Sequence, residues 1–327
     1  MIWGKVFAMV VVTLLLFVAD ILVGSVNIPL RELFSNHEIY HEIIFNFRLP
    51  KAITAVVVGA AISVAGLEMQ TLFHNPLAGP YVLGISSGST LGVALFTLGS
   101  ASVASMFSSV ANGWGIIIAA TLGASCVLAL MLGVSFRIKQ AVSLLLIGTM
   151  FGQIAGSVVT ILQNHSNPDS LKLFVVWTFG SLSAVSWNYM KVMLPIALLG
   201  ILLSIAIIKQ LNALLLGENY AQGLGISIKR TRLQIIISVA LLAGATTAFT
   251  GPIAFVGMAV PHLVKGILKT SNHAITLPGC VVCGAALLLL CDIATQLPSN
   301  GYTLPLNAVS SLIGAPIIIW IILKNKS

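Results

Sequence analysis

Ten long apolar runs, joined by short polar connections, leave this chain few ways to fold. They begin near Val6, Ile53, Tyr81, Trp114, Val142, Val192, Leu233, Gly251, Ala274 and Leu304. A helix needs about 20 mostly apolar residues to cross a bilayer, and each run meets or approaches that length. The spacing predicts an all-α, polytopic membrane protein, with residues 1–327 forming a single transmembrane domain. Composition agrees: 58% of residues are hydrophobic and 7% are charged, against about a quarter charged in soluble domains. Too few ionised groups remain to build a water-facing surface, so lipid is the main solvent.

Two runs need qualification. The first follows Lys5 and imitates a signal peptide, but it is longer than a secretory core and lacks a small-x-small cleavage site. It is read as a retained first span. The eighth is short and interrupted by Pro252 and Pro261. One further apolar piece, Leu171 to Val185, is too short to cross and is expected to be re-entrant or interfacial.

Charge placement orients the spans. With the N-terminus inside, Lys5, Arg137, Lys139, Lys209, Lys229, Arg230, Arg232, Lys265, Lys269, Lys324 and Lys326 fall on one side. Arg31, Arg48, Lys51, Lys172 and Lys191 fall on the other. That asymmetry follows the positive-inside rule, with both termini cytoplasmic in the cell's inner (plasma) membrane. An external loop is then expected near 25–50 and a large cytoplasmic connection near 210–230. The net charge of +8 does not imply nucleic acid, because the cations are scattered and form no basic face interleaved with aromatics.

Three carboxylates, Asp20, Glu68 and Asp292, are expected near span ends, within reach of water or headgroups. Proton-coupled carriers place ionisable groups deep in the bundle. A secondary carrier is therefore the second choice, and energy is expected from another polypeptide. Cys126, Cys280, Cys283 and Cys291 all lie in apolar stretches and read as small hydrophobes. Cys280 and Cys283 have metal-like spacing but no second ligand pair.

Gly84, Gly88 and Gly92, and again Gly148, Gly152 and Gly156, form ladders at one-turn spacing. Such ladders permit close helix packing in lipid. The second ladder shares its run with Thr149, Gln153, Ser157, Thr160 and Asn164, a continuous polar stripe on one helix face. The stripe could join neighbouring helices by hydrogen bonds. Gln and Asn are costly in hydrocarbon and prefer a wet cavity, so Thr149, Gln153, Ser157 and Thr160 are assigned to a translocation path.

His37-Glu38-Ile39-Tyr40-His41 matches the H-E-x-x-H pattern of zinc hydrolases, in which two histidines share a helix face and a glutamate acts as base. An intramembrane metalloprotease is thus an alternative. No third ligand is evident, however, and the region reads equally as an amphipathic interfacial helix. A P-loop is also missing: the only Gly-Lys pair, Gly4-Lys5, lies too close to the N-terminus. No cofactor, metal or catalytic residue is assigned to this chain. ATP would be used by a partner.

Motifs spread along the chain resemble the FecCD-type, or type II, ABC importer permeases for ferric siderophores, haem and cobalamin. They run from Arg48-Leu49-Pro50-Lys51 through Gly59, Gly66 and Gln70 to Asn75-Pro76-Leu77-Ala78-Gly79-Pro80. Leu83 to Gly88 and Trp177 to Leu182 follow. Next come Leu216-Gly217-Glu218-x2-Ala221-x2-Leu224-Gly225, Gly251 to Gly257, and Val260-Pro261-His262. Leu277-Pro278-Gly279 through Asp292, then Gly314-Ala315-Pro316, complete the series.

The resemblance implies ten spans, a homodimer around a central path, two cytoplasmic ATP-binding-cassette ATPase subunits and an external substrate-binding protein. It also implies that spans two to five and seven to ten are related halves of opposite orientation. Leu216, Gly217, Glu218, Ala221, Leu224 and Gly225 would engage the ATPase. Arg48 and Lys51 would dock the binding protein, and Gln140, Val142 and Ser143 would form an inner gate. Where many relatives carry an arginine after Asp292, this chain has Ala294-Thr295-Gln296, which shifts the expected docking load to Arg48 and Lys51. A path without rings of charge suits a bulky chelate. A ferric siderophore is the expected cargo, with haem or cobalamin next.

Overall fold

The computed structural model describes residues 2–24, 38–99, 113–138, 140–297 and 303–324. Along the chain, α1 (Ile2–Leu22) precedes α2 (Glu38–Glu42), a π-helical turn (Ile43–Arg48) and α3 (Leu49–Leu72). A 3-10 turn at Pro80–Leu83 leads into α4 (Ile85–Leu98), followed by α5 (Trp114–Arg137), α6 (Ala141–His165) and α7 (Pro168–Thr178). Then come α8 (Trp187–Ala206), α9 (Ile208–Leu214), α10 (Glu218–Gly223) and α11 (Ile228–Val239). A π-turn at Ala240–Gly244 joins α11 to α12 (Ala245–Thr250), and α13 (Val256–Leu268), α14 (His273–Thr295) and α15 (Leu306–Lys324) complete the chain.

Among the described residues, seven helical segments are long and apolar enough to cross a membrane. Three shorter apolar helices, α4, α13 and α15, bring the described set to ten. The fold is therefore all-α and polytopic, with one helix for each apolar run.

The short spans start later than expected, for a local reason. Gly84, at φ 73°, ends the 3-10 turn and delays α4 from Tyr81 to Ile85. Gly251, at φ 75°, opens an extended lead that delays α13 from Gly251 to Val256. A side chain at Gly251 would also meet the Trp177 carbonyl, so glycine is required there twice over. The apolar piece at Leu171 to Val185 becomes α7, which starts earlier, at Pro168, and ends at Thr178. Its 11 residues span only about 16 Å at 1.5 Å per residue, too short to cross. The chain then turns at Gly180, and Ser181 N–H donates to the Thr250 carbonyl at 2.8 Å.

The centre of the bundle is α3, buried along nearly its whole length. Small residues make this possible. Gly59 meets the Gly284 backbone of α14, and Gly66 meets the Gly257 backbone of α13. The first glycine ladder behaves likewise, with Gly88 and Gly92 against Gly123 and Ala119 of α5. The second ladder only partly packs: Gly148 meets Val82 and Leu83 and Gly152 meets Ser87, but Gly156 faces open space. In contrast to α3, α1 is largely exposed, and its buried residue is Asp20.

Candidate functional site

At the end of the bundle where α1 finishes and α3 begins, charged groups converge. Lys51 Nζ lies 2.6 Å from Asp292 Oδ2 and 3.9 Å from Asp20 Oδ1. Gln296 Nε2 donates to Asp292 Oδ2 at 3.1 Å, and Arg48 Nη1 donates to the Ile21 and Leu22 carbonyls, each at 2.8 Å. Three helices, α1, α3 and α14, are thus tied together by a lysine between two aspartates.

This corrects the expectation that Asp20, Glu68 and Asp292 reach water or headgroups. Asp20 and Glu68 are 0% exposed and Asp292 is 5% exposed. The span ends face one another rather than the solvent, and Lys51 offsets the desolvation of the outer pair. Glu68, near the other end of α3, faces the hydroxyls of Ser204 and Ser238, which hydrogen-bond each other at 2.9 Å.

Arg48 and Lys51 are buried too, at 7% and 8% exposure, so within one chain they are not rim cations. They are reached through a cavity of about 1020 Å³, lined also by Phe47, Gly180, Asp292 and Gln296. Gln296 serves here as a donor to Asp292. Of the H-E-x-x-H pattern, His37 lies outside the described residues, and His41 stacks on Phe45 with centroids 4.3 Å apart.

The stripe on α6 has the opposite character. Gln153, Ser157, Thr160 and Asn164 are exposed, and Thr149 is half-buried. The hydroxyls turn back on their own helix: Thr149 donates to Leu146 O at 2.8 Å, and Ser157 and Thr160 to Gln153 O and Gly156 O at 3.0 Å. They do not act as glue between helices of one chain. At the start of α6, Gln140 and Val142 are exposed and Ser143 is half-buried.

At that same end, which carries Lys5, Arg137, Lys229 and Lys265, the segment from α9 to Gly225 forms a compact ledge. Leu214 and Ala221 are buried, whereas Leu216 and Leu224 are 64% and 59% exposed. Gly217 and Gly225, at φ 101° and 82°, bracket the short helix α10. Most side chains would be strained in these conformations. Exposed leucines beside fixed turns make a surface suited to another protein.

The ledge is anchored on both flanks. Asn212 Oδ1 receives the His273 backbone N–H at 2.8 Å and faces His273 Nδ1 at 2.9 Å. A backbone N–H can only donate, so that atom is the oxygen and Nδ1 carries a proton. His273 Nε2 lies 2.8 Å from Thr71 Oγ1, and His74 Nε2 donates to the Leu214 carbonyl at 2.7 Å. His74 is also at φ 47°, an uncommon conformation for a residue other than glycine. On the other flank, Arg232 of α11 pairs with Glu218 at 3.0 Å and donates to the Ile138 carbonyl at 2.9 Å. Neither anchor is evident from the sequence, because the partners lie far apart in it. The partners of Lys51 were closer to reach, since ionisable groups inside spans pair with one another.

Residues 12–324 match the FecCD transport family. The vitamin B12 import system permease protein BtuC of Photorhabdus laumondii is 35% identical over 86% of this chain and 82% of its own. The hemin transport system permease protein HmuU of Yersinia pestis is 33% identical over 93% and 90%. Among solved structures, a metal-chelate type ABC transporter in an inward-facing conformation superposes with TM-score 0.87 at 26% identity, covering 98% of both chains.

Proposed function

The chain belongs to the FecCD transport family and is a permease of an ABC importer; on that premise we propose that two copies enclose a path for a bulky metal chelate between their α6 helices. The observation that carries this reading is the exposed stripe at Gln153, Ser157 and Thr160, with Thr149 beside it. Polar side chains in lipid are costly, and a second copy would turn them toward a shared wet lumen. The absence of charge along the stripe favours a ferric siderophore as cargo, with haem and cobalamin as the alternatives.

The basic end is then cytoplasmic, as the positive-inside rule requires. There the ledge, from Leu216 to Gly225, would seat a separate ATPase subunit, one for each copy, and Gln140, Val142 and Ser143 would gate the path. An external binding protein would dock over the cavity walled by Arg48 and Lys51. Charges recessed in this way set register more than on-rate.

Thiol labelling tests the path. After removal of Cys126, Cys280, Cys283 and Cys291, single cysteines at 149, 153, 157 and 160 should react with a water-soluble reagent. Cysteine at 156 should crosslink one protomer to its partner. Unreactive positions in every transport state, with no crosslink, would put the path on another helix. A binding screen of the external partner against siderophores, haem and cobalamin would then decide the cargo.

A further inference from the structure

The contacts around the ledge are unequal in kind. On the α9 side, Asn212 and the Leu214 carbonyl are held by His273, Asn272 and His74, which belong to α14, the turn before it, and the turn after α3. Because α3 packs backbone-to-backbone on α13 and α14, this flank is fastened to the closely packed centre of the bundle. The α10 side is fastened by Arg232. Its guanidinium is 4% exposed and spans two elements: Nη2 to Glu218 Oε1 at 3.0 Å and Nη1 to the Ile138 carbonyl at 2.9 Å. Ile138 stands two residues before Gln140 at the head of α6.

We propose that Arg232 is a positioning residue that carries movement of the ATPase-facing ledge to the head of α6, with α9 as the fixed pivot. The inference rests on the reading of the ledge as the ATPase seat. A planar guanidinium suits the task because separate nitrogens can grip a carboxylate and a carbonyl at once, which an ammonium holds less rigidly. The guanidinium between them is buried, although the Glu218 side chain is 28% exposed, so a shift of Glu218 reaches Ile138 through a side chain held by protein on its own side. The pivot supplies the other half of the device: with α9 held by the His273–Asn212 pair, displacement of α10 about the Gly217 turn is taken up at Glu218, its first residue, and not in α9.

The test uses the complete importer, the permease with its ATPase subunits and binding protein in lipid bilayers, in a cysteine-free background carrying V142C as gate reporter. R232Q and R232K should keep ATPase binding and hydrolysis, yet lower transport per ATP about tenfold, within the usual range of coupling energies. Labelling of V142C should also stop responding to nucleotide. The exchange E218R/R232E is the decisive variant. It restores an ion pair, but a glutamate at 232 cannot donate to the Ile138 carbonyl, so transport and nucleotide-dependent labelling should stay lost. Recovery of both in the exchange would overturn the proposal and leave Arg232 as an ordinary structural pair. If R232Q assembles poorly, R232K, which keeps the charge, carries the same test. The control is L216D on the exposed side of the ledge. Loss of ATPase binding there, with R232K fully coupled, would sink the link alone. Normal binding and transport in L216D would instead remove the reading of the ledge itself.

Discussion

The helices α3 and α6 are both long, both interrupted by polar residues, and alike in sequence character, yet they settle their polar groups in opposite ways. On α3, Lys51 is buried against Asp20 and Asp292, Gln70 donates to the Met258 carbonyl, and Thr71 meets His273. On α6, Ser157 and Thr160 bond only to the preceding turn of their own helix and remain exposed. In lipid a polar side chain must find a partner or water. The comparison therefore sorts intramembrane polarity into two uses. Where partners come from the same chain, polarity fixes the fold; where they do not, it points to a surface completed by something outside the chain.

The largest expected effect comes from breaking the charge cluster on α3. Lys51→Ala would leave two carboxylates facing one another, and loss of one partner of a buried pair costs about 3–5 kcal/mol. Thermal unfolding in detergent should show this as a marked drop in melting temperature and yield. Asp20→Asn in the same background should recover part of the loss, since it removes one of the two opposed carboxylates. An unchanged melting temperature for Lys51→Ala would mean that water already solvates the cluster, and the contrast between the helices would collapse.

Glycine offers a matched pair of smaller size. Gly66→Val drives a branched side chain into the Gly257 backbone, whereas Gly156→Val enters open space. Overpacking of this kind costs about 1–3 kcal/mol. The first variant should unfold earlier, while the second should keep its melting temperature. Equal destabilisation would show that Gly156 is packed after all, within the single chain.

How far the sequence reaches follows the same division. The number of spans, their helical nature and the ledge near Leu216 to Gly225 were legible because each is written in a local run: apolar length, glycine position, a cluster of leucines. The stripe on α6 was legible for the same reason, since a three- and four-residue spacing is a property of one helix. The late starts at Ile85 and Val256 were obscured because Gly84 and Gly251 are as apolar as their neighbours, and only their dihedral angles mark the break. That Lys51 would pair was within reach, but the burial of Asp20, Glu68 and Asp292 was not. It depends on which span ends stand side by side, and the link from Glu218 through Arg232 to Ile138 joins positions 14 and 94 residues apart.

The smallest expected effect sharpens the comparison most, because it separates folding from transport. Ser157→Ala and Thr160→Val remove hydroxyls whose hydrogens return to backbone carbonyls that already accept helical bonds. No partner is orphaned, so each change should stay within about 0.5 kcal/mol of the parent, as surface substitutions usually do. The melting temperature then serves as a control, and the transport rate as the signal. If the stripe borders a wet path, two copies of each substitution replace four hydroxyls with methyl or hydrogen around one lumen. Uptake of a polar chelate should slow while ATPase assembly is untouched. If the stripe faces lipid, the same changes make α6 a better membrane helix and uptake should not fall. Unchanged transport in the double variant would therefore count against the path more directly than any loss of stability could, since nothing in the fold of the single chain depends on these two hydroxyls.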